Sequence, residues 1–323
     1  MQKVFVTRNV PKAGLALLRQ ACQVEIWPGE MPIPRDVLLA KVRHVEGLLS
    51  LLTERIDDEL LDAAPRLKVV SNMAVGYDNI DVAACTARRI PVGNTPDVLT
   101  DATADLTFAL LMAAARRLPE GVDYVRRGDW HTWHPLELLG VDVWGATLGI
   151  VGLGRIGQAV ARRARGFAMR VLYYDTLHRP DLEAELGLEY AEMDDLLAGS
   201  DFVSLHCPLL PQTHHLIDAI ALRKLKPTAI LINAARGPVV DTDALVTALR
   251  EGWLAAAALD VTDPEPLPAD HALVSLPNCI VVPHIGSATV VSRNRMATRA
   301  AENLLAGLQG QRLPYCVNPQ VYE

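Results

Sequence analysis

Three side chains able to do acid, base and anion chemistry stand at equivalent places in this chain of 323 residues. Arg236 lies in Asn233-Ala-Ala-Arg-Gly-Pro, just after the apolar run Ala229–Ile232. Glu265 lies in Asp260-Val-Thr-Asp-Pro-Glu-Pro, after Ala256–Leu259, and His284 lies in Pro283-His-Ile-Gly-Ser, after Cys279–Val282. An arginine presents a planar fork for a carboxylate and a carbonyl oxygen. A histidine titrates near neutrality and can give or take a hydroxyl proton. A glutamate paired with it would orient the ring and favour the imidazolium, keeping the acid form available. Anchor, polariser and proton donor are what hydride reduction of a 2-oxo acid requires, the hydride coming from a nicotinamide. Singly, each residue has a plainer reading: a surface turn for Arg236, a solvated loop for Glu265, a satisfied strand-end residue for His284. Their joint placement, downstream of a glycine-rich motif, favours the chemical reading.

That motif is Gly149-Ile-Val-Gly152-Leu-Gly154-Arg155-Ile156-Gly157, which contains G-x-G-x-x-G. Alone the pattern is weak. Here it follows a strand expected at Thr147–Val151 and opens a helix expected from about Arg155 to Gly166. In that context Gly152 makes the tight turn, Gly154 lets the backbone approach a pyrophosphate, and Gly157 lets helix pack on strand. The helix N-terminus adds free N–H groups and a positive dipole end. The next strand, Arg170–Tyr174, ends in Asp175. An acid about 20 residues past the fingerprint hydrogen-bonds the adenosine ribose, and it would repel a 2′-phosphate. NAD(H) is therefore expected over NADP(H). Asp175 could instead cap a helix, and Arg179 is near enough in sequence to soften the discrimination.

Placing these loops along one edge requires a parallel sheet. Short apolar, β-branched runs recur at Val4–Val6, Val24–Ile26, Gly47–Ser50, Lys68–Val70 and Ile90–Val92. They continue at Thr147–Val151, Arg170–Tyr174, Phe202–Leu205, Ala229–Asn233, Ala256–Asp260 and Cys279–Val282. Their apolarity is continuous rather than alternating, which marks strands covered by helices on both faces. The fold class is α/β, and in such sheets the carboxyl ends of the strands line the ligand crevice. Two long helices bracket the central segment. The first, Thr100–Leu118, capped by Thr100 or Asp101, is too apolar in its middle to face water and is expected between domains or subunits. The second runs from about Ala288 to Gln309, with Gly310 past its end. The expected organisation is a discontinuous first domain, 1–98 plus 288–323, and a nested second domain, 99–287.

Half of the residues are hydrophobic, and 31 Lys and Arg stand against 38 Asp and Glu, a net charge of −7. That composition supports sizeable cores, excludes intrinsic disorder and argues against a nucleic-acid binder. No window of about 20 residues is apolar enough to span a bilayer, and the start carries no signal-peptide pattern. The five cysteines are scattered and form no CxxC. They are expected as mostly buried, reduced thiols, with no metal site, in a cytoplasmic protein.

With these residues in view, the chain resembles the D-isomer-specific 2-hydroxyacid dehydrogenases along its whole length. The resemblance rests on Gly152-Leu-Gly-Arg-Ile-Gly157, Asn233-Ala-Ala-Arg-Gly237, Asp260 to Pro266 and Pro283-His-Ile-Gly286. Within that family it looks most like the glyoxylate/hydroxypyruvate reductases, through Ala74–Asp81, Thr100–Leu106, Gly128–Trp133, His284–Thr289 and Asn303–Leu308. It implies two doubly wound parallel-sheet domains, a Rossmann-type NAD-binding domain nested in a flavodoxin-like substrate domain. It implies catalysis by Arg236, Glu265 and His284, with His284 as acid/base. Implied cofactor contacts are Thr103, Gly152, Gly154, Arg155, Ile156, Gly157, Asp175, Cys207, Pro208, Thr213, Ala234, Arg236, Asp260, His284 and Gly286. Implied substrate contacts, for a small 2-oxo or 2-hydroxy acid, are Val75, Gly76, Arg236, His284, Ser287 and, from the partner of a homodimer, Trp133. Two alternatives stay open. The apolar loop Leu48–Thr53 could wall a pocket for bulkier 2-oxo acids, and NAD-sensing corepressors share this fold and the same Arg, Glu and His.

Overall fold

The computed structural model describes residues 1–323. The chain divides into two compact units, Met1–Leu99 with Ala288–Glu323, and Thr100–Ser287. In the first unit, β1 (Gln2–Val6), β2 (Cys22–Ile26), β3 (Gly47–Ser50), β4 (Val69–Asn72) and β5 (Val92–Gly93) form one sheet of order β2-β1-β3-β4-β5. In the second, β6 (Thr147–Val151), β7 (Arg170–Tyr174), β8 (Leu188–Tyr190), β9 (Phe202–Leu205), β10 (Ile230–Asn233), β11 (Ala256–Leu259) and β12 (Cys279–Val281) form a sheet of order β12-β11-β10-β9-β6-β7-β8. Every strand pairing within both sheets is parallel. The first order is that of a flavodoxin-like sheet, and the second, counted from β6, is the Rossmann order with one more strand. This is the α/β architecture that the continuous apolar runs predict.

Each sheet is covered on both faces. Leu148, Ile150, Phe202, Ile230 and Ile232 belong to one core layer of the second unit, and Val151, Val203, Leu205, Leu231 and Leu259 belong to the other. In the first unit the helix Val290–Leu308 lies against β3 and β4. Thr289 caps it by accepting from Ser292 N. The helix is tied to its sheet by a buried contact, Ser71 Oγ donating to Ala300 O (2.8 Å), and a part-buried one, Asn303 Nδ2 donating to Asn94 O (2.9 Å).

Two expectations need correction. The apolar helix after Pro96 spans Thr100–Ala115, and its buried Ala104, Phe108, Leu111 and Ala115 pack into the core of its own sheet, against β10 and β11. Much of its apolarity is thus used inside the second unit. It also stops short of Leu118, because Arg117 takes a left-handed φ of 51° and a new helix, Leu118–Arg126, begins with Pro119 in its first turn. The sequence reading also passed over β8. This three-residue edge strand has Glu189 at its centre, paired with Arg170.

Candidate active site

The glycine motif sits between β6 and the helix Arg155–Ala164, and each of its glycines meets a different constraint. Gly152 has φ +94°, in the region that favours glycine. A Cβ on Gly157 would stand 2.2 Å from Gly152 O, so only glycine lets the helix come this close to the strand. A Cβ on Gly154 would meet nothing within 4 Å: that residue faces open space at the N-terminus of the helix. A helix N-terminus with a bare backbone before it suits a pyrophosphate. Asp175, just past β7, reaches back to this loop. Its Oδ2 accepts from Leu153 N (2.7 Å), and its Oδ1 accepts from Leu177 N (3.1 Å). These residues fit a dinucleotide.

The other three candidate side chains follow β10, β11 and β12. These strands are adjacent and parallel, so their carboxyl ends fall on one edge. His284 Nδ1 lies 2.6 Å from Glu265 Oε1. The two side chains are 30% and 42% exposed, so the pair is open enough to meet a small molecule yet partly desolvated. Burial pushes the Glu265 carboxyl up, but the hydrogen bond and charge of His284, the Thr262 N–H and the charge of Arg236 together outweigh it. The net result is a carboxyl held below its ordinary range. His284 itself has φ +51°, an uncommon left-handed conformation for a histidine. Asp260, 2% exposed, secures that turn: Oδ1 accepts from Ile285 N (2.6 Å) and Oδ2 from Gly286 N (2.8 Å). Burial raises the Asp260 carboxyl above its ordinary value despite those two bonds.

Arg236 is half-buried, with extended backbone, in the loop after β10. Its neighbour Gly237 packs on the next loop so tightly that a Cβ would stand 1.9 Å from Thr262 O. That approach brings the Arg236 loop against the loop carrying Glu265. Asn233, 1% exposed, ties the turn together: its Nδ2 donates to Arg236 O (2.9 Å) and its Oδ1 accepts from Ala235 N (3.0 Å). The motif reading contained Asn233 but gave it no role. The one available signal was an amide ending an otherwise apolar strand.

The remaining expected cofactor residues fall on the second unit. Ala234 follows β10, Arg155 and Ile156 open the helix after β6, and Thr103 lies beside Gly286, about where a Cβ on that glycine would point (3.3 Å). Cys207, Pro208 and Thr213 follow β9. Thr213 Oγ1 donates to Pro208 O (2.6 Å) and accepts from Leu210 N (2.8 Å), closing that loop. Burial raises the Cys207 thiol to about 11, so it is an uncharged wall rather than a nucleophile. The five cysteines are free, and three of them are buried. Trp133 is 79% exposed, in the stretch between the helix Leu118–Arg126 and β6. Val75 and Gly76 belong to the first unit, in the loop after β4. Asn94 Nδ2 donates to Val75 O (2.9 Å) and Asn72 Nδ2 to Gly76 O (3.0 Å). The bond to Val75 O fixes the Val75–Gly76 peptide plane, so Gly76 N–H points away from Asn94.

The D-isomer specific 2-hydroxyacid dehydrogenase NAD-binding domain matches residues 108–286. This chain belongs to that family. It is an oxidoreductase with a nicotinamide-nucleotide domain. The dehydrogenase is 54% identical over 323 residues to the glyoxylate reductase of Thermococcus kodakarensis, covering 99% of this chain and 97% of that enzyme. Its fold superposes with a TM-score of 0.86 on the NADPH-dependent glyoxylate/hydroxypyruvate reductase of Sinorhizobium meliloti in complex with NADP and malonate, 34% identical over 99% of this chain and 97% of that one. It also superposes, with a TM-score of 0.84, on the D-lactate dehydrogenase of Aquifex aeolicus complexed with NAD and lactic acid, 30% identical over 98% of each chain. No helix of the dehydrogenase is long and apolar enough to cross a membrane.

Proposed function

We propose that this dehydrogenase reduces glyoxylate and hydroxypyruvate to glycolate and D-glycerate, with NADH as its preferred reductant, in the cytoplasm. The observation that carries the reading is the His284–Glu265 pair at 2.6 Å, on the same unit as a glycine loop that fits a dinucleotide. The likeness over the whole chain to glyoxylate reductases supports the substrate class. A nicotinamide, when bound, supplies the hydride chemistry. Glu265 holds Nδ1 of His284, which leaves Nε2 as the nitrogen that hands a proton to the substrate's carbonyl oxygen, or takes one back from the hydroxyl in the reverse direction. Arg236 offers a guanidinium fork to the carboxylate and carbonyl oxygens. Val75, Gly76 and Ser287 belong to the proposal as further substrate contacts.

The test is a panel of 2-oxo acids, each assayed by NADH and NADPH absorbance. Glyoxylate and hydroxypyruvate are expected to give the highest kcat/KM. A higher value for pyruvate or phenylpyruvate would overturn the substrate assignment. NADH preference is assigned to Asp175. Asp175→Ala is expected to narrow the NADH:NADPH ratio of kcat/KM about tenfold, the scale of one charged hydrogen bond. An unchanged ratio would remove Asp175 from ribose recognition.

A homodimer is part of the same proposal. Trp130, Trp133, Leu136, Leu139 and Trp144 are all exposed, and the helix Leu118–Arg126 buries no residue. An apolar surface of this kind marks a protein interface. A groove of about 1300 Å³ beside it is lined by Leu138, Leu139, Leu273 and Ile280, among others. We assign this surface to a second copy of the chain, with Trp133 of the partner subunit contributing to substrate choice. Sedimentation of a monomer at assay concentration would count against it.

A further inference from the structure

The turn after β7 carries two groups that could clasp a 2′-phosphate, His178 and Arg179. A nearby arginine is how a Rossmann unit accepts NADP. Both groups are already occupied by carboxylates of the helix that follows, Pro180–Leu186. Arg179 Nε donates to Asp181 Oδ1 (2.9 Å) and Nη2 to Asp181 Oδ2 (2.6 Å), a bidentate fork of the geometry a phosphate would use. His178 Nε2 lies 2.7 Å from Glu183 Oε1, and the same oxygen accepts from Tyr173 Oη (2.8 Å). Tyr173 Oη in turn accepts from Arg179 N (2.9 Å), so strand, turn and helix form one network. The Arg179 guanidinium is held further into its charged form by Asp181. It is thus a full cation committed to a partner other than a ligand.

We propose that Asp181 is a second determinant of cofactor choice, acting by sequestration: it holds the Arg179 fork that a 2′-phosphate would otherwise recruit. The inference rests on the NADH preference assigned above. Asp175 repels the phosphate, whereas Asp181 withholds its receptor. The competing role for Asp181 is structural. Arg179 precedes a helix N-terminus, where a positive charge opposes the dipole, and an acid in the first turn offsets it. That role would alter stability without altering cofactor choice.

The experiment compares Asp181→Asn and Asp181→Glu, alone and with Asp175→Ala, measuring kcat/KM for NADH and NADPH, inhibition by 2′,5′-ADP, and Tm. Asp181→Asn is expected to raise kcat/KM for NADPH about fivefold and to tighten 2′,5′-ADP inhibition by a similar factor, the scale of one exposed charge-assisted contact. NADH use should stay within about twofold, and Asp181→Glu, which can re-form the pair, should keep the parental ratio. A ratio unchanged by Asp181→Asn in both backgrounds would overturn the proposal, whether or not Tm falls. A parental enzyme that prefers NADPH would refute the cofactor reading instead, and the response of the ratio to Asp181→Asn would still decide the role of Asp181.

Discussion

Two loops at the carboxyl edge of the second sheet carry a half-buried histidine, and the two rings meet different partners. After β12, His284 is part-exposed, paired through Nδ1 with Glu265, and set in a left-handed turn by Asp260. After β9, His206 shares a 2.7 Å bond between Nε2 and Ser204 Oγ, and its Nδ1 is buried with no partner. Burial pushes the His206 imidazole down to about 3, so it stays neutral throughout the physiological range. Residue type and strand-end position are therefore not sufficient for proton chemistry. A carboxylate on one ring nitrogen and access to the other are what separate the two.

The contrast can be broken most directly at His284. His284→Ala is expected to cut kcat by about 10²–10⁴, the usual worth of a positioned general acid. Near-normal turnover at neutral pH would move the acid elsewhere. Glu265→Gln is expected to cost less, about 10–10² in kcat, because the ring keeps a hydrogen-bonding neighbour but loses its counter-charge. Its pH dependence sharpens the point. Glu265 ionises below the ordinary carboxylate range, so the pair is complete at and above about pH 4.3 and is lost only as pH falls through that lower value. The Tm difference between the parental enzyme and Glu265→Gln should therefore still be present at about pH 4.5 and shrink only as pH falls further. A difference already gone at about pH 4.5 would show that Glu265 is not held ionised. The smallest effect is expected at His206. His206→Asn should leave kcat within about threefold and lower stability by about 1 kcal/mol through loss of the Ser204 bond, visible as a Tm drop of a few degrees. A loss of rate comparable to that of His284→Ala would erase the distinction between the two loops.

Much of this edge is legible in the sequence because its strands are buried on both faces. Ala229–Ile232, Ala256–Leu259 and Cys279–Val282 stand out as unbroken apolar runs, and Thr147–Val151 is nearly one, so the residues just after them can be located. Arg236, Glu265, His284 and the glycine motif are visible for that reason. What stays hidden depends on neighbours distant in sequence. Nothing local says that Gly237 must pass within contact of Thr262 O, or that Asn233 will be the clasp of the Arg236 turn. The break at Arg117 is equally silent, since arginine is a good helix former. Only Pro119 hints that a second helix starts there. His206 and His284 look alike on paper because what each ring nitrogen meets is set partly by residues outside its own segment.

The chain leaves its first unit at Leu99 and returns to it at Ala288. During synthesis this imposes an order. The helix Val290–Leu308, whose carbonyl at Ala300 takes the Ser71 hydroxyl and whose Asn303 grips Asn94, emerges from the ribosome only after the whole second unit. At about 5–20 residues per second, β1 to β5 wait roughly 10–40 s for it. The contiguous second unit needs no such return and can close in the meantime. Until the helix arrives, β3 and β4 lack its cover and leave open to water the face it buries.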